Sequence, residues 1–199
     1  KLEVRSGRLF FSNHLWKKED DFINEESIGA YAENDSNLTP VFFNFRTLYR
    51  TNETIIDGTF QNYPNTPTSR LLTIKARKNG AVLPEAKKTL PTSVSLSTFF
   101  STWVSMRLPK WKPGQVIPFS SVLENDLEGG FQPVNGNARL DPQDEYAKKT
   151  SSYKLSLNFG GQPSYWWVDK QGVPFRIEFP SIQTVVNRST EKEAQAFLQ

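Results

Sequence analysis

Hydrophobic and polar positions alternate through most of the chain, with one change of period near the middle. Residues 1–11 read as a strand with Leu2, Val4 and Phe10 on one face. "VFFNFRTLYR" (41–50) places Val41, Phe43, Phe45 and Tyr49 on one face and Phe42 and Leu48 on the other. "ETIIDGTF" (53–60) follows as a hairpin partner. In "RLLTIKARKNGAVL", Leu72, Ile74 and Ala76 point one way and Thr73, Lys75 and Arg77 the other, and Asn79-Gly80 supplies a two-residue turn. Further strands are predicted over "QVIPFSSVL", 152–160, both sides of "DKQG" (169–172), and "IQTVVNR". Residues 12–40 look like loop with room for a short helix. Residues 125–151, rich in Gly, Asn, Pro and Asp, read as a long loop or irregular hairpin.

The period changes in "SLSTFFSTWVSMR". Leu96, Phe99, Phe100, Trp103 and Met106 recur at three and four, with Ser and Thr opposite, so the spacing predicts a helix. Ser93 or Ser95 would cap it and Pro109 would close it. "KPGQ" (112–115) suits a type II turn. A C-terminal helix with Thr190 and Glu193 as capping box completes the prediction. The expected fold is mainly β: eight to ten antiparallel strands in a curved sheet or incomplete β-barrel wrapped around one amphipathic helix. The whole, residues 1–199, would be a single β-rich domain with the loop at about 125–151.

Trp166 and Trp167 are neighbours in a strand and must face opposite ways. Three accounts fit. The outer indole lies under the 125–151 loop or beside Lys and Arg stems, or it lines an apolar cavity, or it stacks on a sugar ring.

Composition narrows the chemistry. The 199 residues are long enough for a sizeable core, 37% are apolar and 13% aromatic, and there is no cysteine. Disulfides, cysteine zinc sites and thiol nucleophiles are thereby excluded. No uninterrupted apolar run is long enough for a transmembrane helix. "KLEVRSGRLFF" opens without Met, as removal of a signal peptide or trimming would leave it, so an exported, periplasmic location is expected. The net charge of +3 is uneven: residues 70–112 are strongly basic. That stretch suits a solvated sheet edge or an anionic envelope surface. The helix aromatics follow a packing period and no nucleic-acid motif is present, so nucleic acid is disfavoured.

Candidate catalytic groups are few. His14 is the one histidine and has no G-x-S-x-G serine to serve. "ENDLEGG" (124–130) begins like a calcium loop, but its twelfth position is Asn135. Asp169 and Glu178 are available as a glycosidase pair, yet read as a turn residue and a paired charge. Asn37, Asn52 and Asn187 begin N-x-S/T sequons, which matter only in a eukaryotic secretory protein. No catalytic residue, metal ligand or cofactor is assigned.

"SLSTFFSTWVSMRLPKWKPGQVIPFSSVLEN" and "PSYWWVDKQGVPFRIEF" carry Arg107-Leu108, Pro113-Gly114, Trp167, Asp169, Gly172, Pro174, Arg176, Ile177 and Glu178. Over residues 93–123 and 163–188 the chain resembles a bacterial exported family of unknown function with an incomplete antiparallel barrel, similar in shape to periplasmic lipoprotein and lipid carriers. The resemblance implies an envelope location, a concave apolar surface and no catalytic residues. The expected function is therefore a non-catalytic carrier or binding protein for an acyl chain or lipid-modified molecule. Its apolar ligand would be met by Phe43, Phe45, Phe99, Phe100, Trp103, Trp166 and Trp167. The alternatives are an enzyme or binding module acting on envelope polysaccharide, and a structural partner-binding domain.

Overall fold

The computed structural model describes residues 1–19, 22–63, 66–190, 192–193 and 196. The chain divides into two compact units, the first formed by residues 1–98 and 122–133, the second by residues 99–121 and 134–190.

The first unit is an antiparallel meander. Its strands are β1 (Leu2–Arg5), β2 (Arg8–Glu19), β3 (Phe22–Glu33), β4 (Pro40–Tyr49), β5 (Asn52–Asn62), β6 (Ser69–Lys78) and β7 (Ala81–Val82), paired in that order. β8 (Ala86–Pro91) also pairs with β6, and the two-residue β9 (Ser95–Leu96) follows. Cross-strand register sets the face that carries the core. Ala30, Phe43, Gly58 and Ile74 form one row, and Ile28, Phe45, Ile56 and Ala76 the next. Phe43 is 0% exposed and Phe45 4%, because β-sheet period places both on the covered side. Asn79 and Gly80 take positive φ values of 51° and 81°, as the expected two-residue turn requires.

The second unit holds β10 (Val116–Val122), β11 (Val134–Leu140), β12 (Tyr153–Phe159), β13 (Gln162–Val168), β14 (Pro174–Phe179) and β15 (Thr184–Asn187), antiparallel in sequence order. It also holds α1 (Phe100–Arg107) and α2 (Glu145–Thr150). A 3-10 turn (Ser97–Phe99) leads into α1 and another (Leu108–Lys110) leaves it. Gly172, at φ +77° in the β13–β14 turn, lies against α1: a Cβ there would stand 2.6 Å from the Ser105 Cα.

The fold is thus mainly β, as expected, with fifteen strand segments among the described residues in place of eight to ten. Residues 12–40 are not loop. β2 and β3 form a long hairpin whose outer half leaves Leu15, Trp16, Phe22 and Ile23 between 43% and 50% exposed, so its alternation separates no core face from a solvent face. Further in, the buried positions are the small Ala30 and Ala32, which carry little hydrophobic signal. Residues 125–151 likewise contain β11 and α2. β11 hides its strand pattern because Asn135, Asn137 and Arg139 alternate with only Ala138 and Leu140 on the buried side.

The helix differs in phase. Leu96 belongs to β9 and Phe99, not Ser93 or Ser95, is the N-cap residue, with no side-chain cap bond. The leading 3-10 turn advances three residues per turn instead of 3.6, which rotates the residues of α1 relative to a continuous α-helix. Within α1, Val104 is buried beside Trp103, while Met106 is 42% exposed. The expected C-terminal helix from Thr190 lies for the most part outside the described residues.

Candidate functional site

The two neighbouring tryptophans serve opposite faces of the second sheet, and each face carries a helix. Trp166 meets Phe100 of α1 edge-on at 5.2 Å between ring centres. Phe100 also packs on Phe119 at 4.7 Å and on Trp103 at 5.5 Å, and Trp103 meets Trp111 at 5.8 Å. Trp167 lies on the other face, 5% exposed, against Tyr146 of α2 at 5.6 Å and beside the Lys154 and Arg176 cations. The region from 125 to 151 therefore does cover the outer indole, through α2. Asp144 fixes that helix: its Oδ1 accepts from Ala147 N–H at 2.7 Å, and its Oδ2 pairs with Lys154 at 3.0 Å. Partial burial alone would raise the Asp144 carboxyl, but the Ala147 N–H, Lys154 and Trp167 outweigh it and hold it below its ordinary range.

A different chemistry appears at one end of the first sheet. The next cross-strand row after Ile28, Phe45, Ile56 and Ala76 is polar: Glu26, Thr47, Thr54 and Lys78. This row borders an open cavity of about 260 Å³. Phe45 and Ile56 form its apolar wall, and Asn125, Leu127 and Glu128 of the segment 122–133 form the side facing them. Farther along the same segment Phe131, 2% exposed, packs on Phe43 with ring centres 6.2 Å apart. The segment is a strap lying along the apolar face of the sheet.

Two carboxyls here depart from ordinary behaviour. Burial pushes the half-buried Glu26 carboxyl up. Glu124, on the strap, is 4% exposed. Its Oε2 accepts from the Ser97 hydroxyl at 2.6 Å and its Oε1 from the Thr98 N–H at 3.1 Å. Burial raises its carboxyl, the Ser97 and Thr98 bonds hold it back in part, and Glu26 adds to the rise.

The seven aromatic side chains expected to meet an apolar ligand are thus distributed between the units. Phe43 and Phe45 stand on β4 in the first, and Phe45 is the one of the seven that lines this cavity. Phe100, Trp103 and Trp166 pack together in the second, Phe99 is fully buried, and Trp167 lies on the opposite face of that sheet. Sequence reasoning missed Glu26, Thr47, Thr54, Lys78 and the strap. The available signal was the polar end of each inward-facing series: Glu26 beyond Ile28, Thr47 beyond Phe45, Lys78 beyond Ala76.

The other candidates fall into structural roles. Asp169 Oδ1 accepts from the Gln171 and Val173 N–H groups of its turn, and Glu178 pairs with Arg176 at 2.6 Å. His14 Nε2 lies 2.5 Å from a Glu25 carboxylate oxygen, with its ring 4.0 Å from Trp16. In "ENDLEGG", Glu124 turns inward to Ser97, and Asp126 Oδ1 accepts from Gly129 N–H at 3.0 Å.

No protein-family model matches this chain, and no curated protein matches it. The chain is similar in structure to a β-barrel-like protein of the domain of unknown function DUF1849 from Brucella abortus. The TM-score is 0.49 at 10% identity, over 87% of this chain and 75% of that one. It is also similar to a DUF1089-family protein from Pseudomonas aeruginosa, with a TM-score of 0.38 at 14% identity, over 89% of this chain and 92% of that one.

Proposed function

We propose that the protein is a non-catalytic carrier of the cell envelope that binds an acyl-chain amphiphile at the inner face of its first sheet. The observation that carries this reading is the passage from apolar to polar rows along one sheet face. The rows of Phe43 and Phe45 give way to Glu26, Thr47, Thr54 and Lys78 at a cavity open to solvent. Such a gradient matches a molecule with one greasy and one polar end. The Thr hydroxyls and the Glu26 carboxyl offer hydrogen bonds to a head group, and Lys78, exposed at the rim, offers a cation to a carboxylate or phosphate. Leu15, the cross-strand partner of Glu26 on β2, is 50% exposed and continues the row with apolar surface. The cavity of about 260 Å³ lies a little under the range of roughly 300–1,000 Å³ usual for ligand sites, enough for a head group or part of a chain.

The fluorescent fatty acid 11-(dansylamino)undecanoic acid tests the reading. The wild-type protein is expected to bind it saturably. Thr54→Trp, which fills the cavity from the half-buried β5 position, is expected to weaken binding at least about tenfold, or about 1.4 kcal/mol. Absence of saturable binding, or equal binding by the variant, would refute the carrier assignment.

A further inference from the structure

Segment 122–133 covers the apolar face of the first sheet at three points. Phe131 packs on Phe43, Leu127 stands across the cavity from Phe45 and Ile56, and Glu124 is buried at the strap's beginning. The first two contacts are ordinary apolar packing. The third is not. A carboxylate withdrawn from water is costly unless a cation or several hydrogen bonds compensate it. Glu124 has three donors, the Ser97 hydroxyl, the Thr98 N–H and its own backbone N–H, and burial still raises its carboxyl. The charged group acting on it is another carboxyl, Glu26 of β3. Lys78 of β6 and Glu128 of the strap line the adjoining cavity with Glu26. The neutral acid fits this place better than the ion, since its O–H can be given to Ser97 Oγ across the same 2.6 Å while Oε1 keeps the Thr98 N–H.

We infer that Glu124 is a proton-operated latch: as the neutral acid it holds the strap over Phe43, Phe45 and Ile56, and on losing its proton to water it lets the strap lift. The latch supplies what the small cavity lacks, a way for a whole acyl chain to reach the Phe43 row. That use rests on the carrier reading; the latch itself does not.

The direction comes from linkage. Burial raises the Glu124 carboxyl above its ordinary value of 4.5 in the closed form, so the closed strap keeps a proton that the open strap releases. Closure is fully favoured below that ordinary value, and the advantage is lost as pH rises through the raised value of the buried group. Between those limits each pH unit moves the equilibrium toward the open strap by up to about tenfold. Glu26, raised by its own burial, acts in the same direction.

Hydrogen exchange of the whole protein between pH 5 and 8, corrected for intrinsic exchange rates, reads this equilibrium in peptides covering 122–133. In the wild type the opening equilibrium is expected to climb up to about tenfold per pH unit and then level off. In Glu124→Gln, which keeps the shape and cannot ionise, it is expected to keep only the shallower slope that Glu26 contributes. Glu124→Met, which cannot ionise either, is expected to give the same result as Glu124→Gln. A flat wild-type profile, or equal slopes in wild type and Glu124→Gln, would overturn the latch. Should Glu124→Gln not fold, Glu124→Met decides alone, and a wild-type slope in it overturns the latch. A sloping strap profile without binding of the dansyl fatty acid upholds the latch and removes the carrier reading. Binding without a slope does the reverse.

Discussion

Gly58→Ala is expected to cost about 2–3 kcal/mol, the upper part of the range for overpacked cores. Gly58 is the cross-strand partner of Phe43 on β5, and the Phe43 ring lies directly over it. A Cβ at Gly58 would stand less than 3.0 Å from three ring atoms of Phe43, inside any observed Cβ contact. The ring cannot yield, because Phe43 is 0% exposed and Phe131 packs on it. A strand glycine normally costs stability, so its place here reflects the close approach of the ring. Thermal denaturation should show a midpoint about 4–12 °C lower. Adding Phe43→Leu to Gly58→Ala should recover part of the loss, since the two changes share one space. A Gly58→Ala protein as stable as the wild type would mean that the ring is not held over the glycine.

Trp103→Ala is expected to be costlier, about 3–5 kcal/mol. Trp103 is 6% exposed and sits among Phe100, Trp111 and Phe119, with the Arg107 guanidinium 4.2 Å from its ring centre. Removing the indole leaves a cavity that these large rings cannot close. Met106→Ala on the same helix serves as the control. Its side chain is 42% exposed, and its cost is expected within about 0.5 kcal/mol. Denaturant titration separates the two, and near-equal losses would contradict a helix phase that buries Trp103 and exposes Met106. The comparison is informative because periodicity alone places Trp103 and Met106 on one stripe.

The contrast shows what the sequence could and could not reveal. Alternation identified β4, β6 and β12, because each sets large apolar residues at its buried positions. Asn79-Gly80 and Pro113-Gly114 were legible as turns because their chemistry is local. Gly114 takes φ +81°, and the Gln115 N–H donates to the Lys112 carbonyl at 3.0 Å. β2 and β3 were not legible, since the outer half of a hairpin with both faces wet has no pattern to show. The helix was visible as a period, but its buried face includes Val104, which the three-and-four spacing of the larger residues passes over.

The candidate site was legible only in part. Phe45 stood out as a large inward residue. The polar row beyond it drew no notice, because Glu26, Thr47, Thr54 and Lys78 lie on four strands and meet only through register. Glu124 looked like the head of an acidic loop. Its burial depends on Ser97 and Thr98, some 26 residues earlier in the chain. Pairings of that kind are tertiary facts, which local composition cannot show.

In the carrier reading, the first sheet receives an amphiphile with its head at the Glu26–Thr47–Thr54–Lys78 row. Paramagnetic broadening of backbone amide signals by a spin-labelled stearic acid tests this directly. Broadening is expected to centre on those four residues, Phe45, Ile56 and Leu127. Broadening centred instead on α1 and β13, or none at a saturating concentration, would contradict it.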